Sequence, residues 1–240
     1  MVGADMISII VPALNEEDYI EECLKSLVGQ KYSKEYEIIV VDNGSEDKTR
    51  EIAEKYCDKL LFEPGIGLAH VRNKGIEEAE GDIVALTDAD CIASEKWLKE
   101  LEKSLKKYDL VSGPLVPIEN SIKYELYFKL FYKYFLTLAV NQLGFSNAIG
   151  GNCGFEKGLA KKIGGFKDSF PSDGKFGVEI SKVGKITHNP DMKVYTSVRR
   201  FKNMSSLKIF MEMMEGHIRI RRDKSKKLDD SYYRSGSEKM

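Results

Sequence analysis

Four short apolar runs, each followed by a polar or glycine-rich turn and then by a helical pattern, constrain the fold of this chain more than any other feature. They cover residues 6–11, 37–41, 59–63 and 82–87. The first is a β-branched run too continuous to alternate, which is typical of a strand covered on both faces. Regular alternation of strand and helix predicts right-handed crossovers. We therefore expect an α/β domain with a mainly parallel central sheet and helices on both faces.

Polar clusters directly follow three of these runs, at residues 15–18, 42–47 and 88–90. In open α/β sheets, ligands bind beyond the carboxyl ends of the strands. The fold therefore gathers the three clusters at one edge of the sheet, and we expect the functional site there. Pro12 is expected to end the first strand.

The second half of the chain is less regular. A loop is expected at PSDGKFG, residues 171–177, because this segment contains two glycines. The patterns also predict helices near residues 95–108, 122–143, 156–163, 178–183 and 205–222, and strands near 110–114 and 193–198.

The composition excludes several classes of protein. Lys and Arg total 37 against 38 Asp and Glu, which argues against a surface built for nucleic acid. The four cysteines are scattered without the spacing of a zinc or redox site, so we expect buried thiols in a reducing compartment. The chain starts without a signal-peptide pattern and lacks the ~18 consecutive apolar residues of a membrane span. We therefore expect a cytoplasmic protein, either soluble or bound peripherally to the cytoplasmic face of the membrane.

Asp88 and Asp90 lie one residue apart at the end of the fourth run, so both carboxylates can leave the strand on one side while Ala89 points away. Two carboxylates this close repel each other unless a cation lies between them. Mg²⁺ or Mn²⁺ would supply that charge and complete its shell with phosphate oxygens and water. A solvated loop with two helix-capping carboxylates is the alternative.

Four segments in consistent order resemble the family 2 glycosyltransferases. They are SIIVPALNEEDYIEECLKSL, EIIVVDNGSEDKT, GLAHVRNKGIEEAEGDIVALTDADC and GGNCGFEKGLAKKIGGF, and the match as a whole covers about residues 6–190. The resemblance implies a GT-A fold and an inverting transfer of a sugar from a nucleotide-diphosphate sugar to an acceptor hydroxyl or phosphate. It implies a catalytic domain over residues 1–200, with a donor and metal half at about 1–115 and an acceptor half at 116–200. Residues 201–240 would form an amphipathic helix and a polar tail.

The resemblance implies a donor site made of the first loop, the end of the second strand and the VRNKG segment. The implied contacts with the nucleotide-sugar are Pro12, Ala13, Leu14, Glu16, Asn43, Arg72, Asn73 and Asp88. Asp88 would approach the ribose or the metal, and Asp90 would be the principal protein ligand of Mn²⁺ or Mg²⁺. Leu14 stands where the family often has an aromatic residue, and Asn43 where it often has an acidic one. Because an amide both donates and accepts hydrogen bonds, the base of the donor stays open.

The resemblance also implies an acceptor side. Asp173 would be the catalytic base that takes the acceptor's proton, although Ser172 stands where the family has Glu; Glu179 is the nearest substitute base. Gly151 and Asn152, with the preceding glycine, resemble the acceptor-side loop, and a purely structural glycine turn is the alternative. The acceptor would be a sugar or a lipid-linked molecule.

Two other functions stay open. A nucleotidyltransferase shares the α/β sheet and the metal carboxylates, but it would have a basic, glycine-rich phosphate loop after the first strand, and ALNEED is acidic. An inactive nucleotide-binding or membrane-associated scaffold derived from a transferase is the non-enzymatic alternative, because Ser172 and Leu14 depart from the family pattern.

Two segments are candidates for contact with an anionic membrane. Residues 124–135 hold seven aromatic residues and two lysines, a composition typical of an interfacial helix. Residues 205–222 combine an apolar stripe with flanking basic residues, among them Arg199 and Arg200, which favour anionic lipid or an acceptor phosphate. Packing against the catalytic domain is the alternative for both segments, and packing against the partner of a homodimer is a further alternative for the aromatic one.

Overall fold

The computed structural model describes residues 6–65, 67–119, 124, 126, 128–130, 148–168 and 172–199. The chain alternates strands and helices up to residue 86 and is less regular beyond it. The elements are β1 Ile7–Ala13, α1 Ile20–Val28, β2 Tyr36–Asp42, α2 Thr49–Ala53, β3 Lys59–Phe62, α3 Leu68–Glu78, β4 Ile83–Leu86, β5 Cys91–Ala93, α4 Trp97–Leu105, β6 Leu110–Ser112, β7 Leu115–Pro117, β8 Cys153–Glu156, α5 Lys157–Lys162, α6 Ser172–Ser181, β9 Ile186–His188 and β10 Val194–Thr196.

Within the part of the chain that the structure describes, the central sheet has seven strands in the order β3-β2-β1-β4-β8-β6-β9. Strand β1 pairs in parallel with both β2 and β4, β2 pairs in parallel with β3, and β6 pairs in parallel with β9. Strand β8 runs antiparallel to both of its neighbours. A second sheet of three short strands has the order β5-β10-β7. The predicted mainly parallel sheet is therefore confirmed, with β8 as its antiparallel member.

Apolar side chains cover both faces of the central sheet. Alternate residues of β1, such as Ile9 and Val11, pack in one cluster with Leu24 of α1 and Trp97 of α4. Ile10, which points the other way, packs in the second cluster with residues of α3 and α6. Burying one large apolar side chain contributes about 1.5–3 kcal/mol. The helices therefore lie on both faces of the sheet, as predicted.

The prediction that Pro12 ends the first strand is wrong, because β1 continues to Ala13 and both residues pair with β2. The reason lies in the neighbouring strand β4. Thr87 N donates to Ile10 O, so alternate residues of β1, including Pro12, face β4. Pairing with β4 stops at Ile10, opposite Leu86. The missing N–H of Pro12 therefore costs no hydrogen bond of the sheet.

The prediction of a loop at residues 171–177 is also wrong, because α6 begins at Ser172 and contains Gly174 and Gly177. Each glycine costs a helix about 1 kcal/mol relative to alanine. Burial of Phe176 and Ile180 on one face of the helix offsets that cost. Asp173 therefore lies in the first turn of a helix, where a carboxylate interacts favourably with the helix dipole.

Several elements were not predicted at all: the short strands β5, β7, β8 and β9. The predicted burial of the thiols is confirmed, since Cys23, Cys91 and Cys153 are buried, Cys57 is half-buried, and all four are free. The segment 205–222 lies outside the described residues, as does most of 122–143. Among the helices that the structure describes, none combines the length and the apolar character needed to span a bilayer.

Candidate functional site

Two loops at the carboxyl ends of β1 and β2 are locked together by hydrogen bonds. Asn15 N donates to Ser45 Oγ at 2.9 Å, and Asn15 Oδ1 accepts from Glu46 N at 2.9 Å. Glu16 N donates to Thr49 Oγ1 at 2.7 Å. The backbone of Asn15 is left-handed, with φ 53°, which asparagine tolerates better than most residues. The two predicted polar clusters therefore form one rigid edge.

Asp42 organises the turn after β2. Its buried carboxylate accepts the N–H groups of Gly44 and Ser45, each at 3.1 Å. Asp47 in turn accepts from Thr49 N at 2.9 Å, so both aspartates organise this turn. The fixed turn presents Asn43, whose Oδ1 is buried and accepts no hydrogen bond from the described residues. A buried carbonyl oxygen without a donor is costly, so this atom is suited to an N–H group of a ligand.

Glu16 and Asp90 share one arginine. Arg199 Nη2 lies 2.5 Å from Glu16 Oε1 and 3.4 Å from Asp90 Oδ2. Burial raises the pKa of Glu16 to about 7, and the neighbouring Asp90 and Asp88 add to this rise while Arg199 opposes it. Burial, followed by the charge of Asp88, raises the pKa of Asp90 to about 6. The carboxylates of this edge therefore repel one another and attract cations.

Arg72 joins the metal-binding candidate Asp88 to α6. Its buried guanidinium donates to Asp88 Oδ1 and to Ser172 Oγ, each at 3.4 Å, and lies 5.4 Å from the centre of the Phe166 ring. Burial raises the pKa of Asp88, Arg72 lowers it, and the charge of Asp173 raises it again. The charges of Asp88 and Asp173 are thus close enough to repel each other.

The predicted acceptor-side glycines pack directly on this pair. A Cβ at Gly150 would lie 2.1 Å from Arg72 Nη2, and one at Gly151 would lie 2.7 Å from Asp88 Oδ2. Gly150 N donates to Asp173 Oδ2 at 2.9 Å, while Asp173 Oδ1 accepts from Gly174 N at 2.9 Å. The turn that contains Gly150 and Gly151 therefore contacts both Asp88 and Asp173.

Not every predicted site residue has its side chain in this cluster. Asn152 is fully buried, and its amide bonds Trp97 Nε1, Pro114 O and Met192 O, so its side chain holds the fold together. The amide of Asn73 makes two bonds with the backbone of Phe166, at 2.9 and 2.8 Å. The amides of both residues are thus engaged within the protein, and a contact of Asn73 or Asn152 with a ligand stays a prediction.

Other predicted residues lie at the edges of the cluster. Pro12 and Ala13 are buried at the end of β1, and Leu14, half-buried, begins the loop that follows. Glu179, the substitute base, lies further along α6 and pairs with Lys182 at 2.7 Å. It makes no described contact with Asp88 or Asp90.

The sequence did not indicate that Arg199 contributes to this cluster. Its basic surroundings favoured lipid or an acceptor phosphate instead. The register of the small sheet explains its position. Strand β10 runs antiparallel to β5 with Thr196 opposite Cys91, the residue after Asp90. The chain that follows β10 therefore passes beside Asp90. No local sequence pattern predicts this proximity.

The site fits a divalent cation that takes most of its ligands from a substrate. Within the described ranges, no group of three or more His, Cys, Asp or Glu side chains is arranged to hold a metal ion. Mg²⁺ and similar ions are commonly held by one or two carboxylates together with phosphates and water. Asp90 and Asp88 supply such carboxylates, and the buried Glu16 Oε2 accepts no hydrogen bond from the described residues.

A mainly parallel sheet that gathers carboxylates and an unsatisfied amide oxygen at its carboxyl edge defines an α/β domain with a candidate ligand site at that edge. The sequence model of glycosyl transferase family 2 matches residues 8–164, and the chain belongs to this family.

Two relatives illustrate the likeness in sequence. Glycosyltransferase AglE of Haloferax volcanii is 37% identical over 116 residues, which is 45% of this chain and 38% of AglE. The poly(ribitol-phosphate) beta-N-acetylglucosaminyltransferase TarS of Staphylococcus aureus is 40% identical over 100 residues, which is 39% of this chain and 18% of TarS. The matched region thus spans well under half the length of these relatives.

Solved structures extend the likeness over nearly the whole chain. The mannosyltransferase PcManGT of Pyrobaculum calidifontis, in complex with GDP-Man and Mn²⁺, has a TM-score of 0.70 at 23% identity and covers 92% of this chain and 65% of that one. TarS 1-349 in complex with UDP-GlcNAc has a TM-score of 0.65 at 22% identity and covers 96% and 70%. At these identities the likeness shows the fold, and it confirms the expected GT-A fold.

Proposed function

We propose that this chain is an inverting glycosyltransferase that moves a sugar from a nucleotide-diphosphate sugar to an acceptor hydroxyl or phosphate. The observation that carries the proposal is the joining of donor-side and acceptor-side carboxylates: Arg72 bonds Asp88, and Gly150, which packs on Arg72, bonds Asp173. Donor-side and acceptor-side groups must lie within one sugar's reach for direct transfer, and the contact between Gly150 and Asp173 supports that arrangement.

The donor would bind along the edge formed by the loops after β1 and β2. Asn43 Oδ1 is suited to an N–H of the base, which both uracil and guanine offer. Pro12, Ala13 and Leu14 would contact the nucleotide mainly through the backbone, since the first two are buried in the strand end. The fold's likeness to enzymes solved with GDP-Man and with UDP-GlcNAc supports a sugar nucleotide without selecting its base.

Asp90, with Asp88, would hold Mn²⁺ or Mg²⁺, which in bound form would stabilise the negative charge on the leaving diphosphate. The raised pKa values of both half-buried carboxylates support this assignment, because desolvation and a neighbouring carboxylate raise each of them. The presence of Mn²⁺ beside GDP-Man in the PcManGT structure supports it as well.

Asp173 would be the base that receives the acceptor's proton. Each of its oxygens accepts one backbone N–H, which fixes the carboxylate and leaves further lone pairs for a hydroxyl. A single displacement requires one base and no enzyme nucleophile, so the proposed reaction inverts the anomeric carbon. Gly150 and Gly151 would form the adjoining wall, where the acceptor approaches the backbone closely.

The acceptor, the membrane contact and the oligomeric state are further parts of the proposal. A sugar or lipid-linked acceptor, peripheral contact with an anionic membrane at its cytoplasmic face, and a homodimer all depend on segments 122–143 and 201–240. These segments lie wholly or largely outside the described residues. The division into a donor half at 1–115 and an acceptor half at 116–200 is also a proposal.

Thermal unfolding with UDP, GDP and TDP, each with Mn²⁺, tests the donor and metal assignment. A ligand at 100 times its Kd adds about 2.7 kcal/mol to the free energy of unfolding. We expect one nucleotide to raise the melting temperature of the wild type and Asp90→Asn to lose that rise. Asp82→Asn is the matched control, because Asp82 is an exposed carboxylate at the opposite end of β4. A full rise in folded Asp90→Asn would contradict the metal assignment.

A further inference from the structure

Arg199 places its guanidinium between two carboxylates of the proposed donor and metal site. Nη2 lies 2.5 Å from Glu16 Oε1 and 3.4 Å from Asp90 Oδ2. The guanidinium carbon lies 4.4 Å from the centre of the Tyr19 ring, a cation–π distance. Arg199 is therefore held on three sides by groups of the first loop and of the strand end that carries Asp90.

The backbone around Arg199 is anchored to the same site. Ser197 N donates to Asp90 O at 3.3 Å. Val198 N donates to both oxygens of Glu119, at 3.1 and 3.0 Å, and Arg199 N donates to Ser197 Oγ at 3.2 Å. These bonds fix the point from which the arginine side chain leaves, so its reach to Asp90 is a built feature of the fold.

Two ligands would act on Arg199 in opposite ways. A divalent cation coordinated by Asp90 brings a second positive charge to the carboxylate that Arg199 already pairs with, and like charges at this separation repel. A diphosphate brings negative charge, and a guanidinium binds phosphate oxygens with a fork of N–H donors. The same side chain would therefore oppose the metal and attract the nucleotide.

We propose that Arg199 is an internal counter-ion of the site, which competes with the divalent cation for Asp90 and transfers its pairing to the diphosphate of the donor. The proposal rests on the proposed function, because it requires the metal at Asp90 and a nucleoside diphosphate beside it. Its consequence is that metal and nucleotide depend on each other: the nucleotide draws the guanidinium away from Asp90 and frees that carboxylate for the metal.

The variant Arg199→Gln tests the proposal because its two effects have opposite signs. Binding of Mn²⁺ alone, measured from the electron paramagnetic resonance signal of free Mn²⁺ at about pH 8, is expected to become about tenfold tighter, since a full charge near the ligand oxygen is removed. Binding of UDP and GDP in EDTA, measured by calorimetry, is expected to become about tenfold weaker for whichever nucleotide the wild type binds, since a charge-assisted contact is lost.

Two control variants separate charge from structure. Lys103→Gln removes the same charge from an exposed pair with Glu100 on α4, and should change neither affinity. Arg199→Lys keeps the charge at the site, so the Mn²⁺ affinity should stay within about threefold of the wild type. Its nucleotide affinity should fall less than that of Arg199→Gln, because an ammonium keeps the charge and lacks the fork of N–H donors. If Arg199→Gln does not fold, Arg199→Met, which is similar in length and uncharged, replaces it in both titrations.

Each result decides between distinct outcomes. Tighter Mn²⁺ and weaker nucleotide binding support the proposal. Weaker binding of both ligands to Arg199→Gln would mean that Arg199 only supports the fold. An unchanged Mn²⁺ affinity of Arg199→Gln, together with loss of Mn²⁺ binding in Asp90→Asn, would overturn the role of Arg199 and keep the metal site. Failure of wild type and variant to bind Mn²⁺ even with UDP or GDP present would overturn the metal assignment, and this inference with it.

Discussion

Replacing Gly150 with alanine is expected to force Arg72 out of its place beneath the acceptor-side turn. An added Cβ would lie 2.1 Å from Arg72 Nη2 and 2.6 Å from Cζ, well inside the 3.0 Å that real Cβ contacts essentially never breach. The guanidinium cannot simply swing into solvent, because it is buried and bonded to Asp88 and Ser172. The backbone of Gly150 is not left-handed, so the predicted effect is steric.

The size of the effect follows from the cost of overpacking, which is about 1–3 kcal/mol. For a chain of this length, 1 kcal/mol corresponds to about 2–4 °C in melting temperature, so Gly150→Ala should melt about 2–12 °C lower. Gly158→Ala is the matched control, since a Cβ there would meet no atom within 4 Å. Gly158 lies in α5, where alanine is favoured over glycine by up to about 1 kcal/mol, so this variant should melt at the same temperature or higher.

Differential scanning calorimetry of both variants, repeated with Mn²⁺ and the nucleotide that stabilises the wild type, measures this prediction. Displacing Arg72 also releases Asp88, so Gly150→Ala should lose part of the ligand-dependent rise in melting temperature. Equal melting temperatures for the two alanine variants, with equal responses to the ligands, would refute the packing of Gly150 on Arg72.

Two further predictions concern the carboxylates. If Asp173 is the base, Asp173→Asn should lower kcat by about 10²–10⁴ with donor affinity nearly unchanged, whereas Glu179→Gln should cost far less; a fully active Asp173→Asn would reject the assignment. The pKa of Glu16 is raised from 4.5 to about 7 in the folded state. Between these two pH values, the folded state therefore keeps the proton of Glu16 and the unfolded state has lost it. The contribution of Glu16 to stability is therefore full below about pH 4.5, falls as the pH rises to about 7, and is constant above it. Urea unfolding from pH 4.5 to 8 should show that the free energy of unfolding declines less steeply with pH in Glu16→Gln than in the wild type. An equal decline in both proteins would contradict the raised pKa of Glu16.

The edge of the sheet that carries the site could be predicted because its determinants are local. The apolar run of β4 ends directly at Asp88 and Asp90, and the parallel sheet follows from the repeated alternation of strand and helix. The extent of β1 could not be predicted in the same way. Whether Pro12 costs a hydrogen bond depends on where pairing with β4 stops, and that is a property of a strand far away in the sequence.

Tertiary packing decided the features that the sequence did not reveal. Glycine propensity predicted a loop at residues 171–177, but burial of Phe176 and Ile180 outweighs that propensity and places Asp173 on a helix. The contact of Arg199 with Asp90 depends on the register of β10 on β5. Asn73 and Asn152 resemble ligand-binding residues in the sequence, whereas in the structure the amides of both make hydrogen bonds within the protein.

Ser172 illustrates how a departure from the family pattern can be compatible with an active site. The resemblance places Glu at this position, yet Ser172 is buried and its hydroxyl accepts from Arg72 Nη1 at 3.4 Å. A carboxylate there would add negative charge beside Asp88 and Asp173 and would compete with Asp88 for the same guanidinium. A neutral hydroxyl satisfies the donor without that repulsion and leaves the charge of Arg72 to offset Asp88. The departure at Ser172 is therefore compatible with the proposed transferase, and by itself it does not favour the inactive scaffold.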